Sequence, residues 1–216
     1  MSRKLSGYWL GAAIAVLYGA HWVGSAAWAD SSAPAAGPAK VTSKVAGALP
    51  RDGFSCCNLH YEKDWISDGN YAGLPMLPAG TPMRLISYGR HKAAVEVAGK
   101  KMRLGHDYGR DQESLQQWAS KIVIETDPSA RIASYPADVR AAIKDGQVMV
   151  GMTREQAIVA LGYPLTSENP SLDGPVWRHW VSSFEEFQLI WGPDGRIAQI
   201  TAVSSILPRV IHPVGK

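Results

Sequence analysis

Apolar residues at helical spacing predict two short helices in the second half of the chain. Pro136 stands where the first helix begins, and Asp145-Gly146 marks its end. Thr153 and Gln156, three residues apart, form the capping-box pattern that begins the second helix. Gly162 follows the last apolar position, where a residue with positive φ often ends a helix.

Three stretches with strand signals follow these helices. They run over 176–181, 184–191 and 196–203, and a Gly-Pro-Asp-Gly turn separates the last two. This order predicts a three-stranded antiparallel meander. A sheet with one apolar face, covered by two helices, makes an α+β layer.

The first half of the chain alternates over shorter distances. Residues 51–110 contain closely spaced turn formers, and the best strand candidates are 83–88, 94–97 and 102–104. Short strands with close turns predict a small β module, SH3-like in size. The fold class expected for the chain is therefore α+β, with this β module first and the helix–helix–meander module over 140–207.

The segment 111–139 is expected to connect the two modules. Asp111 is a plausible N-cap for a helix that continues to about Ser120, and 121–126 reads as a strand. Residues 208–216 are expected to form a C-terminal tail.

The N-terminus has the layout of a secretory signal peptide. Arg3 and Lys4 precede an apolar stretch over 8–20, and Ala27-Trp28-Ala29 offers the small residues of a cleavage site. We expect cleavage after Ala29 and a periplasmic location, with the outer membrane as a further site of association. The alternative is an uncleaved anchor, because 8–28 carries no Asp, Glu, Lys or Arg. Residues 30–50, rich in Ser, Ala, Pro and Gly, are expected to be a flexible linker.

Composition and net charge argue against some classes of function. The chain is 46% hydrophobic and 19% charged, which is typical of a globular protein. Its net charge is +3, and loss of the signal peptide would remove two basic residues and no acidic one, leaving about +1. This balance gives no electrostatic case for nucleic acid or for an acidic membrane surface.

The two cysteines, Cys56 and Cys57, are adjacent. The simplest expectation is that one is buried and the other is partly exposed. The alternatives are a redox pair joined by a disulfide, an intermolecular bridge, or a metal site with His60. The metal site lacks the usual Cys-x-x-Cys spacing and a second pair of ligands, so no metal is predicted.

No sequence motif predicts catalysis or a cofactor. The histidines form no close metal pair, and no nucleophile elbow, phosphate loop or dinucleotide fingerprint is present. The chain is therefore expected to have no catalytic residues and no cofactor. If the chain were an enzyme, its catalytic residues would be Cys57 with His60, or His106.

Aromatic residues favour binding to another molecule. Trp177 and Trp180 should lie on opposite faces of a strand, so that one enters the core and the other can be exposed beside Arg178. Trp and Arg are enriched in interface hot spots, which makes Arg178 and Trp180 the candidate residues for a protein partner. An alternative is peptidoglycan, which would stack on the aromatic residues of 61–71.

The stretch 140–203 resembles the BamE/SmpA/OmlA family of envelope assembly proteins. The resemblance rests on these residues: Gly146, Val148, Gly151-Met152-Thr153, Glu155-Gln156, Leu161-Gly162-Tyr163-Pro164, Trp177 and Pro193-Asp194-Gly195-Arg196. It implies the α+β fold and partners in outer-membrane protein assembly. The resulting hypothesis is a non-catalytic envelope module that binds one or more envelope or outer-membrane proteins.

Overall fold

The computed structural model describes residues 49–213. The expected signal peptide and almost all of the expected linker lie outside the described residues. Within 49–213, no helix is both long enough and apolar enough to cross a membrane.

The first half of the described chain is built on strands, as its alternation predicts. The elements are β1 Arg51–Ser55, β2 Leu59–His60, β3 Trp65–Ser67, β4 Met76–Leu77, β5 Pro82–Tyr88, β6 Lys92–Val97, β7 Lys100–Gly105, α1 Leu115–Ile122 and β8 Val123–Ile124. Six of the strands form one curled sheet in the order β3-β7-β6-β5-β1-β8, and β2 pairs with β4. The expected connecting segment thus contributes a strand to the first sheet.

The second half contains the predicted helices and meander. Its elements are α2 Ser129–Ala133, α3 Ala137–Lys144, α4 Arg154–Leu161, β9 Val176–Ser182, β10 Glu185–Trp191, β11 Ile197–Ala202 and α5 Leu207–Val210. The three strands form an antiparallel sheet in the order β11-β10-β9. The α+β fold class is therefore confirmed.

Local capping signals explain α4, one of the two long helices of the second half. Thr153 accepts the N–H of Gln156, and the Gln156 side chain accepts the N–H of Thr153, so the predicted capping box is confirmed. The helix ends at Gly162, whose φ is +80°. A side chain there would also collide with the amide of Asn70, 2.3 Å from the position of a Cβ.

Four expectations from the sequence need correction. The first helix is capped by Ser114 with Gln117, not by Asp111, and the strand expected over 121–126 is only two residues long. The helix α2 was not expected. Residues 208–213, expected to belong to a tail, include most of α5, Leu207–Val210, and a bridge from Ile211 to Val148.

Two hydrophobic clusters meet along a polar junction centred on Asn58. Its side-chain amide donates to the carbonyls of Ile143 (2.6 Å) and Ala160 (3.0 Å), and its oxygen accepts the N–H of Ala79. Asn70 makes a second link, because its amide donates to the carbonyls of Asn58 and Leu161. These buried hydrogen bonds fix the first half of the described chain against α3 and α4.

Candidate functional site

The two faces of the β9–β10–β11 sheet differ in what they contact. Alternate residues point into the core under α3 and α4: Trp177, His179, Val181, Phe187, Leu189, Trp191 and Ile200. The residues between them form an outer face that the described chain leaves partly open: Val176, Arg178, Trp180, Glu186, Gln188, Ile190, Gln199 and Thr201. We call this set the outer face.

The two tryptophans of β9 occupy opposite faces, as predicted. Trp177 is fully buried and packs edge-on against Trp191, with 4.6 Å between the ring centroids. Trp180 lies on the outer face, where its indole N–H donates to a carboxylate oxygen of Glu168 at 2.9 Å. The rest of its ring is a partly exposed apolar surface of fixed orientation.

Arg178 lies on the same face, one register row from Trp180. Its guanidinium is 3.2 Å from a carboxylate oxygen of Glu186, and the Gln188 amide donates to the other oxygen of that carboxylate. Both charged side chains are half exposed, so this ion pair contributes little to stability. It does hold the guanidinium in place beside the tryptophan.

Phe184 was missed as a candidate because it was assigned to a strand. It lies instead in the tight turn between β9 and β10, and it is 94% exposed. Its N–H donates to the hydroxyl of Ser182, which also bonds to Glu185. The available signal was the pair of serines before Phe184, since Ser favours turns.

The free side of β9 is closed by other parts of the chain. The Asn169 side chain bonds to both the N–H and the C=O of Arg178, replacing a neighbouring strand. The N–H groups of Ala72 and Gly73 donate to Trp180 and Val181. Gly73 is required at this contact, because a Cβ would lie 2.7 Å from the carbonyl oxygen of Val181. The strand that carries Arg178 and Trp180 is thus firmly held.

The cysteines do not match the simplest expectation. Both are buried, with Cys56 6% and Cys57 0% exposed, and they are joined by a disulfide across adjacent residues. They occupy a bend directly after β1 and directly before Asn58. Cys57 therefore has no free thiol to act with His60, and among the described residues no group of acidic, His or Cys side chains is arranged to hold a metal ion.

The histidines that were considered as catalytic candidates are buried. Burial lowers the pKa of His60 to about 4, with its contact to Asn70 opposing the shift. His106 bonds through Nδ1 to Asp68 and through Nε2 to the carbonyl of Glu113, both at 2.9 Å, and it stacks on Trp118. Sequence reasoning missed Asp68, which is distant along the chain. Both ring nitrogens of His106 make hydrogen bonds, so the pair formed by His106 and Asp68 fixes the loop after β7.

Asp68 explains why this loop is ordered. Its carboxylate also accepts the N–H groups of Asp107, Tyr108 and Gly109. On the surface above it, the Tyr71 and Tyr108 hydroxyls are 2.9 Å apart, and this contact, with burial, raises the pKa of Tyr108 to about 12.

The aromatic residues of 61–71 do not line a common groove. The Trp65 ring packs closely against Gly105, Arg103 lies 4.9 Å from its centroid, and its N–H donates to Asp107. Tyr61 packs against the core of the first half. The larger surface depressions lie elsewhere, and one of about 360 Å³ sits beside Asn58 between Ala79, Ile132 and Ile143.

Comparisons with models of known protein families, with curated proteins and with solved structures found no match.

Proposed function

We propose that this chain is a non-catalytic protein-binding module of the bacterial envelope, which contacts a partner through the outer face and Phe184. The observation that carries the proposal is Phe184, a ring held almost wholly in water at a hairpin tip. Burying a side chain of this kind stabilises a complex by about 1.5–3 kcal/mol. An exposed ring on a firmly held hairpin is therefore a preformed anchor for a partner's apolar pocket.

Trp180 and Arg178 extend this anchor along the sheet. Both are held in one orientation by hydrogen bonds and an ion pair, so little side-chain freedom is lost when a partner covers them. Trp and Arg are the residue types most often found at the energetic centre of an interface. The patch combines an apolar tip, an aromatic edge and a charged pair.

The identity of the partner is proposed from the sequence. The signal-peptide pattern favours a location of the folded part outside the cytoplasm, and the resemblance of 140–203 to the BamE/SmpA/OmlA family favours envelope or outer-membrane proteins as partners. Outer-membrane protein assembly is the process that this resemblance suggests. The near-neutral charge after Ala29 offers no support for nucleic acid as a partner.

The test is partner capture by crosslinking in intact cells, with envelope integrity measured in parallel by sensitivity to detergents. Phe184→Ala and the double variant Arg178→Ala with Trp180→Ala should each lower capture and integrity. Tyr108→Ala is the matched control, because it removes an exposed aromatic ring from the other half of the described chain.

The result that would place the function elsewhere is equally specific. If these variants behave as wild type, while substitutions within 57–71 abolish integrity, the outer face is not the binding surface. Binding to purified peptidoglycan, lost on substitution of Trp65 or Tyr71, would favour the carbohydrate alternative.

A further inference from the structure

The two edges of the β9–β10–β11 sheet differ in how far other parts of the chain cover them. The β9 edge is closed by Asn169 and by the segment at 72–73. The β11 edge is covered only at its start, where Ile197 exchanges hydrogen bonds with Gly151 and Met152. From Ala198 onward, β10 is the only strand of the described chain that lies beside β11.

The hydrogen bonds of β10 show which way β11 directs its main chain. Trp191 donates its N–H to Pro175, which lies on the β9 side. Successive residues of a strand direct these groups to opposite neighbours, so Gln188, three residues earlier, bonds to β11. Gln188 is paired with Thr201, and the main-chain groups of Thr201 therefore face inward to β10.

The residues on either side of Thr201 face outward. The N–H and C=O groups of Ile200 and Ala202 are directed away from the sheet, and no main-chain or side-chain partner reaches them from the described residues. A row of unpaired donors and acceptors of this kind is completed by another extended strand.

Proteins usually protect such an edge with charge or proline, and β11 has neither. From Ile197 to Leu207 the chain contains no charged residue and no proline. Val203, directly after the strand, is 63% exposed. By contrast, the edge strands of the larger sheet, β3 and β8, are only three and two residues long. The β11 edge is therefore the part of the described structure best suited to strand addition.

We propose that the β11 edge binds the β11 edge of a second copy of this chain, in antiparallel register about a two-fold axis at Thr201. In this register Ile200 of each copy lies opposite Ala202 of the other. Each of these two pairs exchanges two hydrogen bonds, which satisfies every outward group of Ile200 and Ala202. The two sheets become one sheet of six strands.

A second copy is favoured because the edge is self-complementary. Thr201 meets its own copy across the axis in a non-hydrogen-bonded pair, where Thr–Thr contacts are favourable. Val203 lies opposite the stem of Gln199, and no like charges face each other. The dimer also places two outer faces side by side, so that a partner with two sites would be bound bivalently.

The experiment introduces a charge at Thr201, the residue on the two-fold axis. Self-association of the full chain is then measured by sedimentation over a range of concentrations. Thr201→Lys and Thr201→Glu each place like-charged side chains directly opposite each other in a homodimer, with Cβ atoms about 5 Å apart, and each should weaken self-association about tenfold. An equal mixture of the two variants should restore the dimer, because the charges then attract. Ser87→Lys, exposed in β5 of the other sheet, is the control for added charge and should dimerise as wild type does.

A second variant tests the hydrogen bonds without changing charge. Ala202→Pro removes an outward donor while leaving the bonds to β10, and edge strands tolerate proline at such positions. It should also weaken the dimer, with circular dichroism used to check the fold. A wild-type chain that stays monomeric at all concentrations, or a dimer unchanged by Thr201→Lys, would overturn the proposal. Because sedimentation needs no partner, this result is independent of the proposed binding surface.

Discussion

Replacing Asn58 by Ala should reveal how strongly the two halves of the described chain are joined. The substitution removes two donated bonds, to the carbonyls of Ile143 and Ala160, and one accepted bond from the N–H of Ala79. Each hydrogen bond contributes about 0.5–1.5 kcal/mol net, and buried partners left without a bond cost more. Asn58 also borders the 360 Å³ groove, from which water can reach part of the vacated site. We therefore expect a loss of about 2–4 kcal/mol in the free energy of unfolding.

The measurement is urea unfolding at equilibrium, followed by tryptophan fluorescence. Gln116→Ala is the matched control, since this exposed amide lies in α1 and should change stability by no more than about 0.5 kcal/mol. If Asn58→Ala costs no more than Gln116→Ala, the junction does not depend on this side chain. A transition that splits into two steps would instead show that the two halves had lost their coupling.

Two further changes test local features. Thr153→Ala removes the acceptor that begins α4 and should cost about 0.5–2 kcal/mol in thermal or urea unfolding, whereas an unchanged stability would mean that this cap contributes nothing. Burial lowers the pKa of His179 to about 3 and that of His60 to about 4, both below the ordinary value of 6.5. Both side chains are therefore neutral in the fold near neutral pH, and their contribution is fully present above pH 6.5. It declines as the pH falls toward 4, because the unfolded chain binds the protons first. His179→Leu should flatten this decline in a pH series of unfolding curves, and a slope equal to wild type would contradict the assignment.

Local signals account for what the sequence predicts well. The capping residues around Thr153 and the strand and turn signals over 176–203 depend on neighbours a few residues away, so the helix and the meander follow from the sequence. The opposite faces of Trp177 and Trp180 follow from the same period of two. The error at the start of α1 arose among competing local signals, because Asp111 and Ser114 are both good caps and only Ser114 has Gln117 three residues later.

Contacts between distant residues account for what was missed. The bonds of Asn58 to Ile143 and of Asp68 to His106 join positions far apart in the chain, and neither leaves a periodic pattern. Phe184 was assigned to a strand because it is apolar and adjoins one, although it is out of phase with Phe187 and Leu189 and the turn begins before it. The open edge of β11 could be recognised only once the sheet order was known.

The central claim, that the hairpin tip and the outer face bind an envelope protein, is tested most directly by photo-crosslinking in intact cells. A photoreactive amino acid is placed at Phe184 and, as a control, at Ile86, a partly exposed position on the other sheet. We expect a discrete crosslinked protein from position 184 that is absent from position 86 and reduced when Arg178 and Trp180 are also replaced by Ala. The absence of any adduct specific to position 184, in cells where the protein is needed and present, would contradict the claim.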